Sequence, residues 1–575
     1  MLFGAKKAFE NSAEHTRRPG KMVGTTVISM LAILMLVLSA CGGSATQSNQ
    51  PGSKKPVTIT YVPSPKGDNV SNYNPFSPNA GTGAQGFLYE TLLFINRYTG
   101  EKNPWLASSY NQSADLKTIT FKIRDGVKWN DGQPFTSADP LFTFNLMKKN
   151  PGLDGNGLWA RFIQDVAAPD ANTFTVTLKQ PSSVAIWWLG GGTFIVPEHA
   201  WKSVADPVKF ANDQKPVGTG PYLLDKNTPQ LVTYKKNPSF WQASKVNVDQ
   251  VRVPAIKDNS SAVLMLANGQ LDWLGVAWDP KLDASYTQKD PTHLHHWFTP
   301  SNAVMFYMNT KKYPFNILEV RQAISLAIDR DDIYKKAAVF AQPASPTSVL
   351  PSQKSTIASQ YADSKFTVDT AKAESLLQKA GFSKGSDGIY ADKSGKKISF
   401  SMVAVSGWDD WVGSTKLIST YLKKIGIDAK INTVGDFTPY INALQSGSFE
   451  AGISWTNPGP TPYYQLSDLL DGRKTAPIGQ TATVNWERWD DPATNKLLQQ
   501  YETSNDPAVQ KSALEGLQKI MVEQVPAIPL NYNVTWDEYT TTHVTGWPDE
   551  KNPYDYGAPT NTPDNEYIIL QLKAA

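Results

Sequence analysis

Cysteine is nearly absent. The chain has one, Cys41, in 575 residues. A lone thiol cannot close an internal disulfide, so no covalent framework holds this fold. Histidine is scarce as well, with six in all, and three of them share the run THLHHW as His293, His295 and His296. No further Cys or His lies nearby to complete a ligand set, so the run is not read as a metal site. Charged residues make up only 19% of the chain, with a formal net charge of +3. Residues 1–40 carry that whole surplus, holding Lys6, Lys7, Arg17, Arg18 and Lys21 against Glu10 and Glu14. The remaining 535 residues balance 50 basic side chains with 50 acidic ones. A neutral body offers no electrostatic footprint for nucleic acid. The apolar run Val27 to Leu38 is 12 residues long, short for a bilayer span. Gly218-Thr219-Gly220-Pro221-Tyr222 lacks the Lys and the spacing of a P-loop and reads as a tight turn. The chain is not expected to bind ATP or any other cofactor.

Arg17, Arg18 and Lys21 precede the 12-residue run, which suits the apolar region of an export signal. The run ends in Leu38-Ser39-Ala40-Cys41-Gly42. This resembles a bacterial lipobox, which implies cleavage before Cys41 and lipidation of its thiol. Residues 1–40 are then a lipoprotein signal. Residues 41–55, rich in Ser, Gly, Gln and Asn, are a flexible tether. The alternative is an uncleaved anchor, since Met22 to Ala40 just reaches across a bilayer with tilt. Either arrangement holds the body outside the membrane, on its surface.

A body of this length exceeds one core, so two or three lobes are expected. What it has in quantity is aromatic: 17 Trp and 23 Tyr. The stretch Ile398 to Tyr464 organises them. ISFSMVAV places Ile398, Phe400, Met402 and Ala404 on one face of a strand by two-residue alternation. A helix from about Ser414 to Ile425 follows, with Gly426 as its stop. IDAKINTV is a second strand, Phe437 to Gln445 a helix closed by Gly447, and FEAGISW a third strand. Strands alternating with helices predict a parallel sheet with right-handed crossovers. Ligands of such sheets sit beyond the carboxyl ends of the strands. Those ends carry Gly407-Trp408-Asp409-Asp410-Trp411 and Trp455-Thr456-Asn457, then Pro458 to Tyr464 with Tyr463.

Earlier in the chain, PVTITYV (56–62) is a strand and Phe87 to Leu93 reads as helical. TITFKIRDGVKWNDGQPFTSAD (118–139) is a strand with Ile119, Phe121 and Ile123 alternating, then turns at Asp125-Gly126 and Asp131-Gly132. A helix to about Lys149 follows, capped by Thr136 or Ser137. Val320, Ala323, Ile324, Ala327 and Ile328 recur at helical spacing and are core. Asp369 and Gly381 bracket another helix as N-cap and stop.

The run 118–139 resembles the signature of family 5 extracellular solute-binding proteins, the peptide, opine and nickel class of ABC importer receptors. LYETLLFINRYTGEKNPWLA (88–107), PVGTGPYLL (216–224), VTYKKNPSFW (232–241), MLANGQLDWL (265–274), NTKKYPFNILEVRQAISLAIDR (309–330), AKAESLLQKAGF (371–382) and VPAIPL (525–530) agree in the family order. Pro140 departs from it, standing where a valine is usual. The resemblance implies an α/β, two-lobed periplasmic-binding-protein-like fold with an extra subdomain in the first lobe. Lobe one is expected over 56–310 plus 535–575, with the subdomain at about 95–218, and lobe two over 311–534. It also implies a monomer that closes on a small oligomeric solute and delivers it to a membrane permease.

Dipeptide-binding members of that family hold the peptide's amino group with an Asp after the third strand and its carboxylate with an Arg after the first. Here those positions fall on Pro458 and about Ser406. A zwitterion taken from water without charged partners is poorly compensated. The groups present instead are Trp408, Trp411, Trp455, Asn457, Tyr463, Trp273, Trp278, Asp409 and Asn74. Sugars offer apolar C–H faces rimmed by hydroxyls, which suit Trp platforms with amide and carboxylate acceptors. This set, with GWPDEKNPY (546–554), is similar to the oligosaccharide-binding branch of the family. An oligopeptide held through its backbone is the second reading. A secreted glycosidase using Asp409, Asp410, Asp436 or Glu450 is a third, against which the block signatures stand.

Overall fold

Strand Thr58–Val62 is the hub of the amino-terminal half, pairing in parallel with Gln250–Pro254 on one side and Trp273–Leu274 on the other. We analysed a computed structural model that describes residues 55–65 and 67–575. The leader, Cys41 and nearly all of the tether lie outside those residues. Antiparallel neighbours complete a seven-stranded sheet in the order 294–296, 538–540, 273–274, 58–62, 250–254, 231–236, 222–227. Tyr61, Phe87, Tyr222, Tyr234 and Trp273 pack its core.

The second sheet has six strands, ordered 342–343, 527–534, 300–308, 451–455, 399–405, 428–434. Ser399–Val405 pairs in parallel with Asp428–Val434 and with Ala451–Trp455, as the alternation of strands and helices predicts. Ile398, Phe400, Met402 and Ala404 are buried, but so are Val403 and Val405. A central parallel strand is covered on both faces, so burial is not one-sided here. The following helix runs Asp409–Lys424, five residues earlier than periodicity indicates. Asp409 and Asp410 form its first turn, where carboxylates meet the positive end of the helix dipole. Gly426 has φ +73 and Gly447 φ +70, left-handed positions that end the two helices.

A four-stranded antiparallel sheet, ordered 107–112, 118–123, 173–178, 163–170, forms the extra subdomain with helix Ala138–Lys149. Ile119, Phe121 and Ile123 face its core. At that helix Thr136 Oγ1 accepts from the Ala138 amide at 3.3 Å, whereas the Ser137 hydroxyl donates to the Asp170 carbonyl. Pro140 fits in the first turn, where no amide is needed for the helix ladder. Asp369 caps its helix as expected, accepting from the Lys372 amide at 2.8 Å.

The chain passes from first sheet to second between His296 and Pro300, and returns between Val534 and Glu538. The two passages are joined: the Thr535 amide donates to the Thr299 carbonyl at 2.8 Å and the Trp297 amide to the Asp537 carbonyl at 2.9 Å. Strand Pro300–Met308, expected with lobe one, therefore lies in the second sheet. A second correction concerns Phe87 to Leu93. These residues form turns leading into strand Leu93–Ile95, not a helix. Their carbonyls bond outward instead. The Gly220 amide donates to Leu88 O at 3.0 Å and the Tyr222 amide to Phe87 O at 3.1 Å. A Cβ on Gly218 would lie 2.0 Å from Leu88 O, so the glycines of GTGPY permit this backbone approach.

Candidate functional site

Each strand–helix unit of the second sheet delivers an aromatic ring to the carboxyl edge. Strand Ser399–Val405 runs into a short turn and Trp408 sits at the cap of the next helix. Asp436 caps its own helix, so Phe437 is that helix's first residue. Trp455 is the last residue of its strand. The three rings stand at the corners of a triangle. Centroids are 5.5 Å apart for Trp408–Phe437 and Trp408–Trp455, and 5.9 Å for Phe437–Trp455. Their planes lie within 26°, 31° and 13° of one another. All three are half-buried. Trp411 and Tyr440 are buried and support them, Trp411 meeting Trp408 edge-on at 4.7 Å.

Past Trp455 a narrow cavity is lined by Tyr307, Asn457, Asp468, Asn485 and Trp486. Asn457 is exposed and its amide donates to Asp468 Oδ2 at 3.3 Å. Lys474 Nζ lies 3.0 Å from Asp468 Oδ1, so the one carboxylate of this cavity already has a cation. Asn485 is committed to the carbonyls of Asp471 and Trp489. Glu487, next to Trp486, is fully buried and neither of its carboxyl oxygens has a partner. Burial pushes its carboxyl well above the usual range.

The first sheet offers a matching polar edge. Beyond Thr58–Val62 lies a cavity of about 200 Å³ lined by Tyr61, Ser64, Thr82, Gln85, Thr562 and Asn565. Among the described residues no charged side chain lines it. Thr562 Oγ1 donates to Gln85 Oε1 at 2.9 Å.

The structure brings together Trp408, Trp411, Trp455 and Asn457, and it separates the other expected site residues from them. Asp409 is exposed in the first helical turn. Tyr463 is buried, stacked on Tyr501 at 4.5 Å, with its hydroxyl on Glu502. Trp273 is a core residue, its indole donating to Asp537 at 2.8 Å. Trp278 is likewise buried, with its indole on Asp283 at 2.8 Å. Asn74 is buried and its amide braces the carbonyls of Pro207 and Phe210. Of the other acids, Glu450 accepts from the Ser401 amide and hydroxyl at 2.8 Å, and Asp436 is spent as a cap. The three histidines are also separately engaged, His293 with Asp290, His295 with Thr292 and His296 with Asp283. Among the described residues no group of three or more His, Cys, Asp or Glu is placed to hold a metal. Phe437, Asp468 and Trp486 were missed from sequence. Phe437 carried a signal, directly after the cap Asp436; Trp486 lies in an irregular loop with Asn485 at φ +48.

The sequence profile described as bacterial extracellular solute-binding proteins, family 5 Middle, matches residues 101–476. This chain belongs to that family. It is a solute-binding protein of the ABC-importer type, and its relatives are receptors. It is 26% identical over 557 residues to the oligopeptide-binding protein OppA of Bacillus subtilis (strain 168), covering 89% of this chain and 94% of that one. It is 28% identical over 492 residues to the glutathione-binding protein GsiB of Escherichia coli O6:K15:H31, covering 81% and 87%. Among solved structures it resembles a periplasmic oligopeptide-binding protein of an ABC transporter from Thermotoga maritima, with TM-score 0.80, 26% identity and 91% and 100% coverage. The same Thermotoga protein with mannohexaose bound gives TM-score 0.72 at 26% identity, covering 91% and 99%. The two-lobed α/β fold of the receptor follows from these likenesses.

Proposed function

We propose that this family 5 receptor is lipid-anchored through Cys41 and captures a neutral oligosaccharide between its lobes for delivery to a permease. The observation that carries the reading is the absence of unpaired charge at the two strand-end sites. Among the described residues the first-lobe cavity has no charged lining residue. The second-lobe cavity has only Asp468, already paired with Lys474. An ammonium or carboxylate terminus finds no free counter-ion there, and its desolvation goes uncompensated. Half-buried Trp408, Phe437 and Trp455 supply stacking surface of the kind pyranose faces use. The Thermotoga likeness with mannohexaose bound supports the same ligand class.

A second reading, capture of an oligopeptide, is favoured by the likeness to OppA over 89% of the chain. Longer peptides can be held through backbone groups without ionic anchors. Tryptophan fluorescence and thermal shift with cello-, xylo- and manno-oligosaccharides against tri- to hexapeptides decide between the two. Binding raises the melting temperature by linkage, about 2.7 kcal/mol at a hundredfold excess over Kd. A response to peptides alone overturns the saccharide reading.

A further inference from the structure

The run THLHHW and the run GWPDEKNPY lie some 250 residues apart in the chain, and the fold sets them on opposite sides of one cavity of about 420 Å³. That volume is within the range of small-molecule pockets, about 300–1,000 Å³. It shares no lining residue with the aromatic triangle or with either strand-end cavity. The edge strand Leu294–His296 pairs with Glu538–Thr540, which sets His295 opposite Tyr539. The Tyr539 ring then lies 5.4 Å from His295 and 5.6 Å from Trp547; Tyr539 and Trp547 are buried beneath the floor, and the half-buried rings of His295 and Trp297 are what it presents. Trp547 contributes its ring alone, since its indole N–H is committed to the Thr540 carbonyl at 3.0 Å.

The wall is a fixed turn with free polar groups. Asp549 Oδ1 accepts from the amides of Lys551 at 2.8 Å and Asn552 at 2.7 Å, and the Tyr554 hydroxyl braces Gly546 O at 2.8 Å. That leaves Asp549 Oδ2, the Glu550 carboxylate and the Lys551 ammonium facing solvent without an ion pair among the described residues. Tyr539 is 5% exposed, lines the cavity, and its hydroxyl has no hydrogen-bond partner among the described residues. The half-buried Trp297 indole N–H is equally uncommitted.

We propose that this cavity is a second, independent saccharide site that seats a neutral pyranose against the half-buried rings of His295 and Trp297, within reach of the Tyr539 hydroxyl. Free donors (Tyr539, Trp297, Lys551) stand beside free acceptors (Asp549, Glu550), the mixture that ring hydroxyls use in both directions. Two free carboxylates against one ammonium leave the lining net negative, which disfavours acidic sugars. The site rests on its own lining and not on the reading of the strand-end sites.

Isothermal titration of the purified protein with cellotriose, xylotriose and mannotriose tests it. The native protein should show two binding steps. Tyr539→Phe with Asp549→Asn should weaken one step at least tenfold and leave the other, and Glu550→Ala, on an exposed residue, should move the same step. Trp408→Ala should remove only the other step. A single step that follows the Tyr539 and Asp549 changes and ignores Trp408→Ala upholds this site and sinks the saccharide reading of the aromatic triangle. A single step that vanishes with Trp408→Ala and ignores the Tyr539 and Asp549 changes overturns this site alone. Absence of any saccharide binding overturns both.

Discussion

The hydroxyl of Tyr464 donates to the carbonyl of Val184 at 3.3 Å. This bond ties the extra subdomain to the second lobe, and it is not isolated. The Ser183 amide donates to Glu502 O at 2.6 Å, its hydroxyl to Tyr501 O at 3.1 Å, and Trp188 meets Tyr464 edge-on at 5.2 Å. Val184 itself is only 4% exposed and packs within the second lobe's core. The segment around Val184 is thereby fastened to the core of the second lobe.

Val184→Asp should therefore loosen that contact. An unpaired carboxylate buried there costs several kcal/mol unless the contact opens. If opening depopulates the binding-competent state, apparent Kd rises by the same factor. We expect a weakening of roughly tenfold or more and a larger radius of gyration by small-angle scattering. Native affinity and native dimensions in the variant would exclude the contact from closure.

Trp408 is the corner ring that touches both Phe437 and Trp455. Replacing it with Ala should weaken ligand binding by about 1–3 kcal/mol, the range for a lost stacking surface. Trp408→Phe should recover part of that. Fluorescence titration reads both. An unchanged Kd in Trp408→Ala removes the ring from the site.

Much of this site was legible because its frame is periodic. Strand alternation, Gly426 and Gly447 located the units that carry Trp408, Phe437 and Trp455. What pattern could not supply was the state of each indole. Trp273 and Trp408 read alike in sequence. Trp273 is buried because its N–H finds Asp537, 264 positions away. Asn74 looked like a ligand amide but is spent on two carbonyls from 133 and 136 positions away. No sequence pattern marks Asp468, because only the fold brings it to Asn457. Long-range partners decide burial, and no local rule reports them.

Lys474 holds the charge of Asp468 in check. Lys474→Met should free that carboxylate beside Asn457 and turn a neutral edge into an anionic one. Binding of tripeptides with a free amino terminus should then rise relative to the native protein, while that of neutral saccharides changes little. Both partners are half-buried, so the pair itself contributes little stability, about 1 kcal/mol or less. The readout is a paired titration. Equal peptide affinity in variant and native protein would show that Asp468 does not face the ligand.

Cys41 carries the anchoring proposal. Cys41→Ala should move the protein from the membrane fraction to the soluble one, since the substitution removes the thiol that carries the acyl chains. Immunoblotting of fractionated cells reads the outcome directly. Full retention of the variant on membranes would favour Met22 to Ala40 acting as an uncleaved anchor.

Glu90 and Glu566 are two of several buried carboxyls, Glu487 among them, that make stability depend on pH. Both are fully buried in the first lobe, Glu90 accepting from the Trp241 indole at 2.9 Å and Glu566 from the Trp105 indole at 3.2 Å. Burial raises the Glu90 carboxyl, and burial followed by the neighbouring Glu90 raises Glu566 well above the usual range. A carboxyl raised on folding binds more protons in the native state than in the unfolded one. Its stabilisation is complete below the ordinary carboxylate range, about 4.3, and is lost as pH climbs through the raised value. The melting temperature should consequently fall as pH rises from about 5 toward 8. Glu566→Gln keeps the shape, cannot ionise, and should flatten that slope. If native protein and Glu566→Gln melt in parallel across the range, the pair does not carry the proton.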